Sequence, residues 1–280
     1  MKTREIKRIA KGHATMDGAG VKLIRVFGHD DVRDIDPFLM LDAFGSNNPD
    51  DYIKGFPMHP HRGIETITYL LEGRVDHKDS LGNGGTLLDG DLQWMTAGSG
   101  ILHEEMPRET KTKGMHGIQF WLNMPQKDKM APPRYFPITP DMLKNIDIEA
   151  GTVKLISGEY LGNHGIKSLY TPITMLDIQM KRNAQCDFSI AGELNSFVYV
   201  IDGSGYFGSK RTPVEKHSAA IFDEGDIVRV EAMDSGIRFL LLAGKPLKEP
   251  IAWGGPVVMN THEELQKAFD ELHAGTFIKH

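Results

Sequence analysis

One cysteine, Cys186, stands in 280 residues. A single thiol excludes an intrachain disulfide and favours a reducing, intracellular setting. Cys186 itself reads as a small buried apolar residue rather than a reactive thiol. Long apolar runs are also missing: no stretch approaches the roughly 20 residues that a membrane-spanning helix needs. Nor is there an excess of positive charge. The net charge is −6 and the pI near 6.1, which argues against direct binding to nucleic-acid phosphates. The basic start, MKTREIKRIAKGH, is not followed by an apolar segment of the secretory type. It reads as a solvated first strand or arm, and the expected location is cytoplasmic.

Hydrophobic residues make up 40% of the chain, enough for a core without covalent staples. With 30 Gly and 15 Pro, the chain is punctuated by turn signals, and short apolar runs lie between them: VKLIRVFG, ETITYLLEG, DLQWMTAG, GIQFWLNMP, TMLDIQM, SFVYVIDG, DIVRVEA and RFLLLAG. Their β-branched and aromatic content predicts an all-β protein of sandwich or barrel type. An internal repeat sharpens this. TITYLLEGRVDH followed by LLDGDLQWMTAG resembles SFVYVIDGSGYFG followed by IFDEGDIVRVEA. Each copy is strand, acidic-Gly turn, strand, then a second acidic-Gly-Asp turn and a further strand. The repeat predicts two tandem jelly-roll-like β-barrels over 1–125 and 151–280. Residues 126–150, with Pro132, Pro133, Pro137 and Pro140, read as a linker with extended segments. A helix is predicted over 262–273. Thr261 and Glu264 have capping-box spacing, Leu265, Ala268, Phe269 and Leu272 form one apolar face, and Gly275 is a natural stop.

Two patches carry the chemistry: His59 and His61 in GFPMHPHRGIET, and His103 and Glu105 in GSGILHEEMP. The i, i+2 spacing sends both side chains of each pair to one face of a strand. Two such strands side by side converge three imidazoles and a carboxylate, a set able to hold a divalent transition metal. Either half alone is a weak motif; the combination, flanked by Gly55, Gly73 and Gly90, carries the reading. Glu104 alternates with the pair and points away. Glu65 is a candidate outer partner that fixes a histidine tautomer. Phe56 and Met58 are placed at an entrance. Alternation puts one of Gln93 and Trp94, and one of Gln119 and Trp121, near the pocket, where barrel packing is an equally good role for the aromatics. His116 is expected in the core or behind a ligand. In the second copy, Ser189 and Ala191 align with His59 and His61. Arg238 and Leu240, or Phe239 and Leu241, align with His103 and Glu105. No ligand set results, so the second barrel is expected to bind no metal, and His217 is expected in a turn.

The pattern is the double motif of the cupin superfamily, and the wording is closer still to one family. DPFLMLDAFG, GFPMHPHRGIETITYLLEG, GDLQWMTAGSGILHEEMP, GIQFWLNM, LLAGKPLKEPI and GPVVMNT resemble the pirins over nearly the whole chain. The resemblance implies a bicupin with one metal site in the N-terminal barrel, its ligands His59, His61, His103 and Glu105, with Glu65 not a ligand. It implies iron, Fe(II). The donor set itself suits Mn, Ni, Cu, Zn or Co as well, and without cysteine an open site is favoured over a closed structural one. It further implies cleavage of flavonols such as quercetin with O2, a quercetin 2,3-dioxygenase type of oxidoreductase, with Glu105 as the catalytic base. A second implied role is a non-enzymatic, metal- and redox-sensing regulator that binds a partner protein such as a transcription factor or a metabolic enzyme. The expected ligand is thus a small planar enol-bearing aromatic plus O2, with a protein partner as the alternative, on a monomer that binds neither nucleic acid nor membrane.

Overall fold

In a computed structural model, residues 1–110 and 114–280 are described. They form a mostly β-stranded chain of the two-domain cupin type with one C-terminal helix of three turns. Most sheet pairs are antiparallel, as expected where short connections join successive strands.

The compact units do not follow chain order. One comprises Met1–Gly12, Asp30–Pro37 and Asp141–Pro246; the other comprises His13–His29, Phe38–Pro140 and Leu247–His280. Three tracts, Met1–Gly12, Asp30–Pro37 and Leu247–His280, therefore lie outside the unit that chain order suggests. The first strand, Ile6–Lys11, pairs with Ser218–Phe222, and the C-terminal helix belongs with the histidine-bearing unit. The Pro-rich 126–150 stretch supplies a strand to each unit. Arg134–Ile138 pairs with Leu92–Thr96, and Lys144–Ile148 pairs with Gly151–Ser157. Pro137 sits in the first of these. That strand ends its sheet, and an edge is where a residue without an N–H is tolerated.

The histidine-bearing unit is built from two sheets. The larger runs, in spatial order, Arg134–Ile138, Leu92–Thr96, Ile64–Glu72, Met115–Asn123, Phe38–Ser46, Val21–Phe27 and His13–Asp17; the smaller runs Phe56–His61, Ile101–Pro107, Val75–Asp79 and Gly84–Leu87. Ile101–Pro107 alternates strictly between buried and half-buried residues. That pattern places Ile101, His103 and Glu105 inside and Glu104 on the other face, as period 2 requires.

The other unit centres on one long sheet, in which DIVRVEA and RFLLLAG run together as the single strand Ile227–Gly244. Its interior is apolar. Phe188 and Phe207 both pack edge-on against Phe239, at 6.0 and 5.6 Å between ring centroids. Of the positions that align with the histidine patches, Ser189 and Ala191 are exposed and Phe239, Leu240 and Leu241 are fully buried. Arg238 is paired with Asp177. His217 lies exposed in a turn at φ 62°, its Nδ1 3.3 Å from the Tyr199 hydroxyl. Cys186 is half-buried against this core, and burial raises its thiol pKa.

The helix spans His262–His273. Thr261 Oγ1 accepts from the Glu264 N–H at 3.2 Å, and Glu264 accepts from the Thr261 N–H at 3.1 Å. Both halves of the capping box are thus made. Its apolar face, with Ala268, Leu265, Phe269 and Leu272, packs with Val257, Met259 and Phe277.

Candidate metal centre

The strand Phe56–His61 lies beside Ile101–Pro107, with His59 opposite His103 and His61 opposite Ile101. Register alone therefore brings the three imidazoles together. Their ring centroids are 4.4 Å apart for His59–His103, 4.9 Å for His59–His61 and 5.0 Å for His61–His103. One nitrogen from each lies within 4.8 Å of the others. Among the described residues this is the one such group of three or more His, Cys, Asp or Glu.

Hydrogen bonding fixes how two of the rings present themselves. His59 Nδ1 is 2.9 Å from the Pro57 carbonyl, and His61 Nδ1 is 3.3 Å from the Pro256 carbonyl. A carbonyl only accepts, so each Nδ1 carries the proton and each Nε2 is a bare lone pair. Those two Nε2 atoms face each other at 3.1 Å. Without a cation between them, this contact is repulsive. Two nitrogens that share one ion, each about 2.1 Å from it, sit at roughly this separation. His103, 1% exposed, has no hydrogen-bond partner on either ring nitrogen, a costly state for a buried polar group unless something else binds it. Burial also holds the His61 and His103 rings neutral. It lowers His61 to about 3 and His103 well below the usual value, with the neighbouring imidazoles adding to both. A neutral imidazole is the form that binds metal. The donor set fits a divalent transition ion.

Glu105 is buried and lines the same cavity, but its carboxylate lies outside the close set of three. Pairing shifts by one residue here: two steps lead from His103 to Glu105 but three from His59 back to Phe56, so the extra residue of the bulge lies on the Phe56–His61 strand and Glu105 faces Phe56. Its oxygens are held from the opposite sheet: Thr68 Oγ1 donates to Oε1 at 3.0 Å and Gln119 Nε2 to Oε2 at 3.1 Å. Thr68 and Gln119 are cross-strand neighbours, and Thr68 is likewise paired with Gln93 and Gln119 with Asp42. Directly opposed residues share a face, so a polar row Asp42–Gln119–Thr68–Gln93 crosses the barrel wall behind the histidines.

The cavity, about 790 Å³, has an aromatic side and a polar rim. Trp121 stands edge-on to His61 at 5.1 Å and 6.0 Å from Trp253, which is 5.3 Å from His29. At the rim, Arg25 forks onto buried Asp42 at 2.7 and 2.9 Å and reaches Asp17.

Gln119 and Trp121 both line the cavity; they are two apart, so alternation keeps them on one face rather than separating them. Of Gln93 and Trp94, Gln93 points inward and its Nε2 lies 2.8 Å from His77 Nδ1. Phe56 lines the cavity, whereas Met58 is not among the lining residues and is 45% exposed. Glu65 is buried and accepts from Thr96 Oγ1 at 2.8 Å. His116 is half-buried, 3.4 Å from Asn47 Oδ1, away from the cluster. Thr68, Asp42, Arg25, His29, Trp253 and Pro256 were not foreseen. Thr68 had a signal, the alternation in ETITYLL that puts Thr66 and Thr68 on one face. Pro256 and Trp253 lie almost two hundred residues from His61 and had none.

An antiparallel double-sheet barrel whose His-x-His strand faces a third histidine is a cupin-type unit with a group that could hold a metal ion. Family models make the assignment specific: Pirin matches residues 20–122, and the Pirin C-terminal cupin domain matches residues 175–278. The chain belongs to the pirin family. It is 40% identical to a pirin-like protein of Caulobacter vibrioides, over 99% of this chain and 100% of that protein. It is also 40% identical to pirin of Homo sapiens, over 90% of this chain and 86% of that one. Among solved structures, a quercetin 2,3-dioxygenase from Acinetobacter baumannii superposes with a TM-score of 0.91 at 32% identity, covering 98% of each chain.

Proposed function

We propose that this protein is a metal-dependent dioxygenase of the quercetin 2,3-dioxygenase type, acting on a planar, enol-bearing aromatic substrate with O2. One observation carries the reading. A buried carboxylate, Glu105, stands in the same aromatic-walled cavity as three histidines whose bare nitrogens converge. The similarity to a quercetin 2,3-dioxygenase over the full chain supports it.

His59, His61 and His103 hold the metal, Fe(II), and Glu105 completes the set as the fourth ligand and the general base. When bound, a divalent ion lowers the pKa of a coordinated hydroxyl and holds its anion. The rest falls to the chain. Trp121 and Trp253 flank a flat ring system and keep water from it, and the Arg25–Asp42 rim meets its polar end. Glu105 takes the proton of the 3-hydroxyl. Thr68 and Gln119 hold the carboxylate by two donated hydrogen bonds, so that it faces the substrate rather than rotating away. Loss of that proton makes the ring electron-rich, and its reaction with O2 opens the heterocycle. Both atoms of O2 enter the ester product, and one ring carbon leaves as carbon monoxide.

The test is direct. Protein loaded with Fe(II) under anaerobic conditions is given quercetin and O2, and flavonol absorbance and carbon monoxide are followed. Turnover at enzyme-like rates, lost in Glu105→Gln with metal still bound, is the expected result. Wild-type turnover in Glu105→Gln removes Glu105 as the base. A fully loaded wild type that releases no carbon monoxide overturns the dioxygenase reading and leaves the family's regulatory role, seen as redox-dependent capture of a partner protein.

A further inference from the structure

Beyond the second barrel, the chain comes back to the first. Leu247–His280 lies in the same compact unit as the three histidines. It opens with a short hairpin, Ala252–Gly254 against Val257–Met259, whose turn sits against the residue that follows His61. Arg62 and Val257 form a parallel bridge, and the Val258 N–H donates to the Arg62 carbonyl at 3.0 Å. The Pro256 carbonyl accepts from the Arg62 N–H at 3.4 Å and from His61 Nδ1 at 3.3 Å. One carbonyl, nearly two hundred residues distant in sequence, therefore sets the protonation of a candidate ligand.

Two buried basic side chains, Arg62 and Lys129, tie down the backbone around that carbonyl. Arg62, 2% exposed, donates Nη1 to Glu271 Oε2 and Nη2 to the Phe277 carbonyl, both at 2.8 Å, and lies 4.1 Å over the Phe277 ring. Lys129, 1% exposed, sets its Nζ within hydrogen-bond reach of three acceptors: the Gly63 carbonyl at 2.8 Å, Asn123 Oδ1 at 2.6 Å and the Val258 carbonyl at 2.8 Å. Lys129 thus bridges the turn after His61 to the hairpin. The two backbones meet closely at Gly63, where φ is +77° and a Cβ would stand 2.0 Å from the Val258 carbonyl oxygen. Only glycine fits there. Four independent devices converge on one short junction: a bridge, a forked arginine, a three-way lysine and a glycine contact. A helix that merely covered a barrel face would need only its apolar stripe.

We propose that the returning C-terminal segment is a positioning element of the metal centre. The Pro256 carbonyl keeps the His61 proton on Nδ1 and its Nε2 aimed at His59 and His103, while Arg62 and Lys129 keep Pro256 there. The inference rests on the three histidines binding a divalent metal. Outer hydrogen-bond partners of metal-bound histidines set ring orientation and basicity, and their loss typically weakens metal binding about 10- to 100-fold. Here the partner belongs to a segment that Arg62 and Glu271 can release without any ligand being touched.

Co(II) titration of the full-length protein tests this, because the cobalt visible spectrum reports ligand geometry and needs no turnover. Wild type is expected to bind one Co(II). Arg62→Met is expected to bind it about 10- to 100-fold more weakly, with shifted visible bands. The milder Glu271→Gln, which keeps the arginine, should move affinity and spectrum the same way by less. It decides the matter if Arg62→Met does not fold. Amide exchange in Ala252–Met259 verifies that the segment has loosened in each variant. A loosened segment with affinity and spectrum matching wild type overturns the positioning role and leaves the metal site standing. A wild type that binds no Co(II) overturns the site and the inference together.

Discussion

Gln119 Nε2 donates to Glu105 Oε2 at 3.1 Å, joining the wall of the larger sheet to the strand that carries His103. The same amide reaches Thr68 Oγ1 at 3.2 Å, and Thr68 holds the other carboxylate oxygen. The carboxylate is therefore oriented by the wall opposite its own strand. A hydrogen bond to a charged group contributes about 1.5–3 kcal/mol. Gln119→Leu is accordingly expected to lower kcat for flavonol cleavage roughly 10- to 100-fold, with the metal content of the purified protein unchanged. Steady-state kinetics beside elemental analysis checks it. Loss of metal in step with loss of rate would show that Gln119 serves the ion rather than the base.

The bare, facing Nε2 atoms of His59 and His61 and the partnerless ring of His103 make the metal itself the next prediction. His103→Ala should abolish stoichiometric metal retention. Its effect should exceed the ~10–100-fold that removal of an outer partner causes. Dialysis against a chelator followed by a Co(II) or Fe(II) titration measures the difference, and equal affinity in the variant would dismiss the site. Wild type should in addition gain thermal stability on metal loading, since an ion that binds the folded chain alone shifts the unfolding equilibrium. The His103→Ala protein should gain none.

Much of this site was legible in the chain because it is local. His59-x-His61 and His103-x-Glu105 are read by strand periodicity, and the strands that carry them pair as adjacent elements. Short β-branched runs between turn signals and the internal repeat point to all-β barrels, and the family wording narrows these to a bicupin. Three features resisted reading for a common reason: they depend on register or on distant chain. The bulge on the Phe56–His59 side that leaves Glu105 opposite Phe56 is a matter of register, and the i, i+2 spacing of His103 and Glu105 does not signal it. Thr68 and Gln119 hold Glu105 because of cross-sheet register rather than spacing in sequence. The segment after Pro246 groups with the histidine-bearing unit, and the first strand pairs in the other unit, a grouping that the order of the repeat along the chain does not carry. In the second copy the aligned positions Phe239 and Leu241 lie in apolar core, where packed rings occupy the interior.

Lys129 gives a pH prediction. Burial pushes its ammonium down to about 7 from the usual 10.5, against a smaller upward pull from Glu249 and Glu264. Between those two values the unfolded chain binds a proton that the folded chain lacks. Unfolding free energy therefore gains a positive slope with pH across that window: the cost of the buried charge is full below about 7 and gone above about 10.5. In Lys129→Met that slope is absent, while every other titrating group is shared. Urea midpoints of both proteins at pH 7, 8.5 and 10 should diverge, with wild type rising relative to the variant. Parallel curves would mean that the three acceptors on Nζ hold the ammonium charged throughout.

The rim pair Arg25–Asp42 supplies the last prediction, one about stability. Asp42 is 3% exposed and receives two parallel donors from Arg25, at 2.9 and 2.7 Å. Burial raises the Asp42 pKa, and the hydrogen bonds and charge of Arg25 oppose that rise. Removing the arginine leaves a carboxylate that water reaches poorly. Arg25→Met should therefore cost about 3 kcal/mol, the lower end for a broken buried pair, because the Arg25 side chain keeps 30% of its surface in solvent. Asp42→Leu combined with Arg25→Met should recover most of that loss, since an apolar pair of similar volume carries no desolvation penalty. The order of stability is then wild type, double variant, single variant, read from chemical denaturation at neutral pH. At pH 3, where a raised Asp42 is protonated and needs no partner, the single variant should close much of its gap to wild type. A gap that persists undiminished at low pH would assign the loss to packing of the arginine stem instead of to its charge.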